Sequence, residues 1–151
     1  MKLKIPPVIV MLILAIMMWL WKLIPITNLH YDFVGKWVIT GSFFMASVLV
    51  LLMSLYAFKK LKTSVDPLHP ERASSLVIIG IYNWSRNPMY LGMLLLLISW
   101  GIVLANPINL IFVIAFYLYM NQFQIKPEES MLLAKFGNDY SDYCSNVRRW
   151  L

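Results

Sequence analysis

Four long apolar runs, each closed by charged or turn-forming residues, dominate the chain. Val8–Trp21 is apolar throughout and is extended by Ile5 before it and by Leu23 and Ile24 beyond Lys22. Trp37–Phe58 runs 22 residues without a charge. Met89–Ala105 and Ile108–Phe123 are shorter, close to the ~17 residues that a spanning helix needs at minimum. Only Asn106-Pro107 separates the last two, so the spacing predicts a tight helical hairpin with the proline in the first turn of the returning helix. The pattern predicts an all-α integral membrane protein of one domain, residues 1–151. Its four transmembrane helices are expected near 6–24, 36–58, 88–105 and 107–124.

Two polar regions complete the pattern. The linker 59–87 is the one long polar connection. Pro67, Pro70 and the charges between them predict an irregular first part, whereas Ser74–Tyr82 is apolar enough to lie on the interface, broken at Gly80. A connection of this length in a compact protein is usually functional. Beyond the fourth run, Glu128–Phe136 reads as a short helix stopped by Gly137. Asn138 and Asp139 can cap a second, in which Tyr140, Tyr143, Cys144 and Val147 recur at helical spacing. With Arg148 and Arg149 beside Trp150, this end is expected to form short interfacial helices docked along a headgroup layer.

Composition supports the membrane class: 60% of the 151 residues are hydrophobic and 13% charged, and mean hydropathy is +0.70. Lys2 and Lys4 before an apolar run imitate a secretory signal. Trp19, Trp21 and Lys22 stand where a cleavage site would be, so the segment is expected to be a retained first span. Lys2, Lys4, Lys59, Lys60, Lys62, Arg72, Arg86, Lys126, Lys135, Arg148 and Arg149 fall on one side of a four-span bundle, against Lys22 and Lys36 on the other. The positive-inside rule then puts both termini and the linker in the cytoplasm. Anionic headgroups account for the net charge of +6 without nucleic acid. His30 and His69 are too far apart to suggest a metal site, and the single cysteine, Cys144, permits no internal disulfide.

Candidate chemistry concentrates at two junctions. In Ser85-Arg86-Asn87-Pro88-Met89-Tyr90-Leu91-Gly92, Pro88 suits a first helical position with Asn87 as its cap. Arg86 suits a lipid phosphate or a bound carboxylate. Tyr90 is either an interfacial belt residue or a hydroxyl aimed at a ligand, and Gly92 permits close approach of a helix or ligand. In Lys126-Pro127-Glu128-Glu129 the same construction carries acids. Favourable helix-dipole placement explains one acid well and the second less well; together they can bind a cation.

The order Gly80-Ile81-Tyr82, then Ser85 to Gly92, a helical hairpin, Pro127-Glu128-Glu129, Phe136-Gly137, Tyr140, Tyr143 and Val147-Arg148-Arg149-Trp150 resembles the isoprenylcysteine carboxyl methyltransferase-like family. The resemblance is to its short bacterial members and covers roughly Thr63 to Leu151; the first two spans share only hydrophobicity. It implies S-adenosylmethionine as methyl donor, a lipophilic methyl acceptor entering among membrane lipids, no metal, and a multi-pass protein of a bacterial inner membrane. Carried onto this chain, Gly80, Tyr82, Arg86, Pro88, Tyr90, Leu91, Gly92, Glu128 and Glu129 would bind the cofactor, closed over by segment 126–151. Arg86, Glu129 and Tyr90 would be catalytic. Asn83, where relatives often carry a basic residue, and Val77-Ile78-Ile79 depart from the family pattern near the expected acceptor entrance. Rival expectations are a phospholipid or amine N-methyltransferase, an NADPH-dependent membrane reductase, and a membrane scaffold without catalysis.

Overall fold

The computed structural model describes residues 5–24, 31–61 and 75–151. Expectations for Lys2, Lys4, His30, Lys62, Thr63, Pro67, His69, Pro70, Arg72 and Ser74 lie outside the described residues. Helices among the described residues are α1 (Pro7–Lys22), α2 (Lys36–Leu61), α3 (Pro88–Leu104), α4 (Asn109–Tyr119), α5 (Lys126–Phe136) and α6 (Asn138–Asn146), with a 3-10 turn at Gly80–Asn83. No strand occurs among the described residues.

α3 is the hub. It touches α1, α2 and α4, and it is held to each by different means. Towards α1 and α4 the contact is apolar, with Val10, Met18, Met93, Leu97, Leu104, Phe116, Met120 and Ile125 buried together. Trp100 adds a tie, its Nε1–H donating to the Ala15 carbonyl at 3.1 Å. Towards α2 the contact is made by small and hydroxylated residues. Ser47 Oγ donates to the Gly92 carbonyl at 2.7 Å and Ser99 Oγ to the Thr40 carbonyl at 3.1 Å. Thr40, Ser47 and Ser54 are all buried, and their seven-residue spacing keeps them on one stripe of α2. Small residues let backbones approach closely where apolar surroundings give helices little hydrophobic reason to associate. The second apolar run therefore does more than resemble a generic span.

The outward faces stay apolar. Val8, Leu12, Ile16, Trp19 and Leu20 on α1, Val38, Phe44, Met45, Leu52 and Tyr56 on α2, and Leu110, Ile111 and Leu118 on α4 are all exposed. By length and composition, α2 is the one helix among the described residues that can cross a membrane; α1 and α3 are shorter apolar helices.

Local chemistry explains the boundaries of α3. Pro88 occupies its first turn. The helix ends at Ala105, whose left-handed backbone (φ 53°, ψ 37°) turns its N–H back to the Gly101 carbonyl at 3.2 Å. Pro107 lies in the connecting turn, ahead of the first helical residue Asn109, and Ile108 N–H donates to Asn106 Oδ1 at 3.0 Å.

The expected second junction at 126–129 is absent. Ile125 (φ −68°, ψ −50°) and Lys126 (φ −59°, ψ −45°) are helical, and a π-helical turn over Met120–Ile125 joins α4 to α5 without a break. Pro127 is the physical reason: it has no N–H for the turn below and its ring crowds the preceding carbonyls, so a widened turn absorbs it. Glu128 and Glu129 consequently do not sit at a free helix start. α6 also departs from expectation. Gly137 rather than Asn138 precedes it, no side-chain cap bond forms, and Val147 lies beyond its end in extended conformation.

Gly92 has no room for a side chain, since a Cβ there would stand 2.7 Å from Leu51 Cγ, whereas Gly41 faces open space. Gly92→Val should cost about 1–3 kcal/mol through overpacking at the α2–α3 contact. Thermal unfolding in detergent checks this: the midpoint should fall for Gly92→Val and hold for Gly41→Ala.

Candidate functional site

The turn before α3, the start of α5, one face of α6 and the C-terminal segment meet at one end of the molecule. Ser85 is buried, and its Oγ accepts the Asn87 N–H at 3.2 Å, folding 85–87 into a tight turn. That turn directs Arg86 inward, leaving its side chain 14% exposed. Arg86 Nη2 lies 3.3 Å from Glu129 Oε1, and Nη1 donates to Cys144 Sγ. Its Nε is buried and has no partner among the described residues.

Glu129 is shared. Arg149 grips it bidentately, Nε to Oε1 at 3.0 Å and Nη2 to Oε2 at 2.7 Å. This planar fork-to-carboxylate match is the geometry that favours arginine over lysine. The hydrogen bonds to Glu129, ahead of the opposing cost of burial, raise the Arg149 pKa. Arg149 was expected on headgroups, and Asn87 was expected to cap α3. Instead Asn87 makes no cap bond and its Nδ2 donates to the Arg149 carbonyl at 2.9 Å. Arg86 N–H bonds the Arg148 carbonyl at 3.0 Å, and Trp150 Nε1–H donates to Asn121 Oδ1 at 3.1 Å. The tail is thus tied to α3, α5 and the π turn. The face of α6 packs on protein in the same way: Tyr140 is buried and Tyr143 Oη donates to the Tyr82 carbonyl at 2.7 Å.

Glu128 points elsewhere. Tyr90 Oη donates to Glu128 Oε2 at 2.8 Å, and Gln124 Nε2 donates to Tyr90 Oη at 3.2 Å. Burial, with the neighbouring Glu129 charge adding and the Tyr90 hydrogen bond opposing, pushes the Glu128 carboxyl up from 4.5 to about 7. Tyr82 is also pushed above its ordinary range, first by burial and then by the Glu128 charge.

The structure therefore brings Arg86, Tyr90, Glu128 and Glu129 together, with Tyr82 within reach of the Glu128 field. Pro88 and Leu91 are buried beneath them in the first turn of α3. Gly92 faces α2 rather than this cluster. Gly80, at φ +61°, lines an apolar cleft of about 400 Å³ with Leu52, Met53, Tyr56, Ala57 and Ile81, and Lys60 stands at it. Sequence reasoning missed Arg149, Gln124 and Asn87. Arg149 alone carried a signal, as a second arginine next to a tryptophan in a tail otherwise poor in charge. Among the described residues no cluster of three or more His, Cys, Asp or Glu that could hold a metal occurs.

The family model for phospholipid methyltransferases matches residues 36–139. The match reaches back through α2, further than the resemblance in the sequence suggested, and ends before Arg149. An uncharacterized protein of Haemophilus influenzae is 49% identical over 63 residues, 42% of this chain and all of that relative. Protein-S-isoprenylcysteine O-methyltransferase of Tribolium castaneum is 36% identical over 80 residues, 51% of this chain and 28% of that protein. The enzyme of the same name from Saccharomyces cerevisiae is 36% identical over 73 residues, 48% of this chain and 30% of its own length. The chain thus spans less than a third of either named methyltransferase. The chain belongs to the phospholipid methyltransferase family, with relatives on its isoprenylcysteine O-methyltransferase side.

The raised Glu128 pKa has a stability consequence. Its charged form is disfavoured in the folded state, so the penalty is absent below about pH 4.5, grows as pH rises, and is complete above about pH 7. Among the described residues, Tyr90, Glu129 and Tyr82 are the ionisable groups facing it. A shift of this size corresponds to at most ~3 kcal/mol. Glu128→Gln should therefore unfold at a higher temperature than the parent at pH 8, with the gap closing at pH 5. A gap independent of pH would contradict the burial of this carboxylate.

Proposed function

We propose that this member of the phospholipid methyltransferase family transfers a methyl group from S-adenosylmethionine to a lipophilic acceptor at the cytoplasmic face of a membrane. The observation that carries the reading is the convergence of Arg86, from the turn before α3, with Glu128 and Glu129 of α5. The donor has a carboxylate, an ammonium and a sulfonium, and residues of matching charge are present. Arg86 retains a buried Nε without a partner among the described residues, and Glu128 accepts from a neutral hydroxyl. Arg86 suits the carboxylate and the acids suit the positive groups.

When bound, the donor supplies an activated methyl for in-line displacement. The chain's part is to hold both partners in line and keep water away. A thiolate or carboxylate acceptor needs no general base, which agrees with the state of Glu129 and Tyr90. Glu129 is occupied by two guanidinium groups, and Tyr90 already donates its proton to Glu128. The apolar cleft beside Gly80 suits the hydrocarbon part of the acceptor.

Four spans formed by α1, α2, α3 and α4 with its π turn are part of this reading, with both termini cytoplasmic in a bacterial inner membrane. The exposed apolar faces of α1, α2 and α4 support it. At 16 and 17 residues, α1 and α3 are about 24–26 Å long, against a hydrocarbon core of about 30 Å, so modest thinning of the bilayer is required.

Calorimetry in detergent tests the donor: S-adenosylhomocysteine should bind and NADPH should not, and Arg86→Ala should weaken that binding about tenfold or more while helicity by circular dichroism is kept. Binding of NADPH alone would favour a reductase, and parallel loss of helicity and binding would favour a scaffold. Radiolabelled methyl transfer into lipid extracts then identifies the acceptor class, an amine-headgroup product pointing to phospholipid N-methylation.

A further inference from the structure

One side chain stands between the apolar cleft and the polar cluster. The cleft opens on the outward face of α2, where Leu52, Met53 and Tyr56 are exposed, and its far side is formed by Ile79, Gly80 and Ile81. At about 400 Å³ it falls within the ~300–1,000 Å³ typical of ligand sites. Ala57, Ile79 and Ile81 also pack around Tyr82, which is buried and meets Phe58 edge to face with ring centroids 5.6 Å apart. The ring thus backs the cleft. Its hydroxyl belongs to the polar side, bonded to Ser54 and within the fields of Glu128, Tyr143 and Tyr90. A phenol suits such a boundary because its body is apolar and its tip polar.

The segment that carries Tyr82 is lightly held. Gly80–Asn83 is a single turn of 3-10 helix, whose hydrogen-bond geometry is poorer than that of an α-helix. Ile78 and Trp84, on either side of it, are exposed. Gly80 has φ +61° and open space where a Cβ would stand, the freedom that a hinge position uses. Resting on the methyl-transfer reading above, we propose that Tyr82 is a movable partition between the cleft and the polar cluster. The cleft holds the acceptor's hydrocarbon while the ring is closed, and the acceptor's reacting end passes when the Gly80–Asn83 turn swings the ring aside. Tyr82 is then a positioning residue.

Cys144, the one cysteine of the chain, is half-buried against Arg86 and reports from the polar cluster. In nanodiscs its labelling by an N-alkyl maleimide dissolved in the bilayer is compared with labelling by a sulfonated maleimide in the water. Tyr82→Ala should speed the alkyl reagent about tenfold, because labelling follows the population of open states, and should leave the sulfonated reagent unchanged. Adding Ala57→Phe, which returns a ring to the same space, should cancel the gain. Should Tyr82→Ala not fold, Tyr82→Leu keeps apolar packing on Ala57 and Val77 without the reach of the phenol and should act in the same direction. No gain for the alkyl reagent, equal gains for both reagents, or a gain that survives Ala57→Phe would overturn the partition. Calorimetry with S-adenosylhomocysteine on the parent separates the two levels. Failure of the labelling pattern with that binding intact removes the partition alone, whereas absence of binding removes the methyl-donor reading and the acceptor's passage with it.

Discussion

One carboxylate, that of Glu129, sits between the guanidinium groups of Arg86 and Arg149, and most of the architecture at this end of the molecule depends on it. With 17% of its side chain exposed, it is dry enough for pairing to matter more than on an open surface. Through Arg149 it draws in the tail, and the tail's carbonyls satisfy Arg86 N–H and Asn87 Nδ2. Through Arg86 it draws in α6, whose Cys144 and Tyr143 close on the turn before α3. Segments separated by more than fifty residues are thus joined by one charge and its satellites.

The other half of the molecule is governed by a different rule. Outer faces are apolar, so there is little hydrophobic reward for helix association in a lipid setting, and α2 meets α3 through Ser47, Thr40, Ser99 and Gly92 instead. Close backbone approach and buried hydroxyl-to-carbonyl bonds supply what apolar burial supplies on the α1 and α4 sides. α3 therefore carries both the packing of the bundle and, at its first turn, Pro88 and Tyr90 at the foot of the site. A change that shifts α3 along its axis would move the chemistry and the core together.

The apolar runs were legible because periodicity and charge boundaries are local. So was Pro88 at the start of α3, which its fixed φ and missing N–H favour regardless of context. The break expected at Pro127 was not. Proline usually ends a helix, but here a π turn spreads its lost hydrogen bond over Met120–Ile125, and that depends on packing of Met120 and Ile125 in the core. The acids were visible as a pair, yet their unequal surroundings were not, because Arg149 lies twenty residues further on and reaches Glu129 only after α6 turns the chain back. The hydroxyl stripe Thr40, Ser47 and Ser54 was present in the sequence at regular spacing but was hidden within a run read only for its hydropathy. Asn87 was misjudged for a related reason: it stands at the cap position, but a carbonyl from the far end of the chain holds its Nδ2 and its side chain makes no cap bond.

The most direct measurement of the central claim is a double-mutant cycle on thermal or denaturant unfolding with Glu129→Gln, Arg149→Met and the two combined. A carboxylate that binds the tail to the helical core predicts a coupling of roughly 1–3 kcal/mol between the two positions. Additive losses, within ~0.5 kcal/mol of their sum, would contradict it, because they would mean that the tail and the acid are held independently.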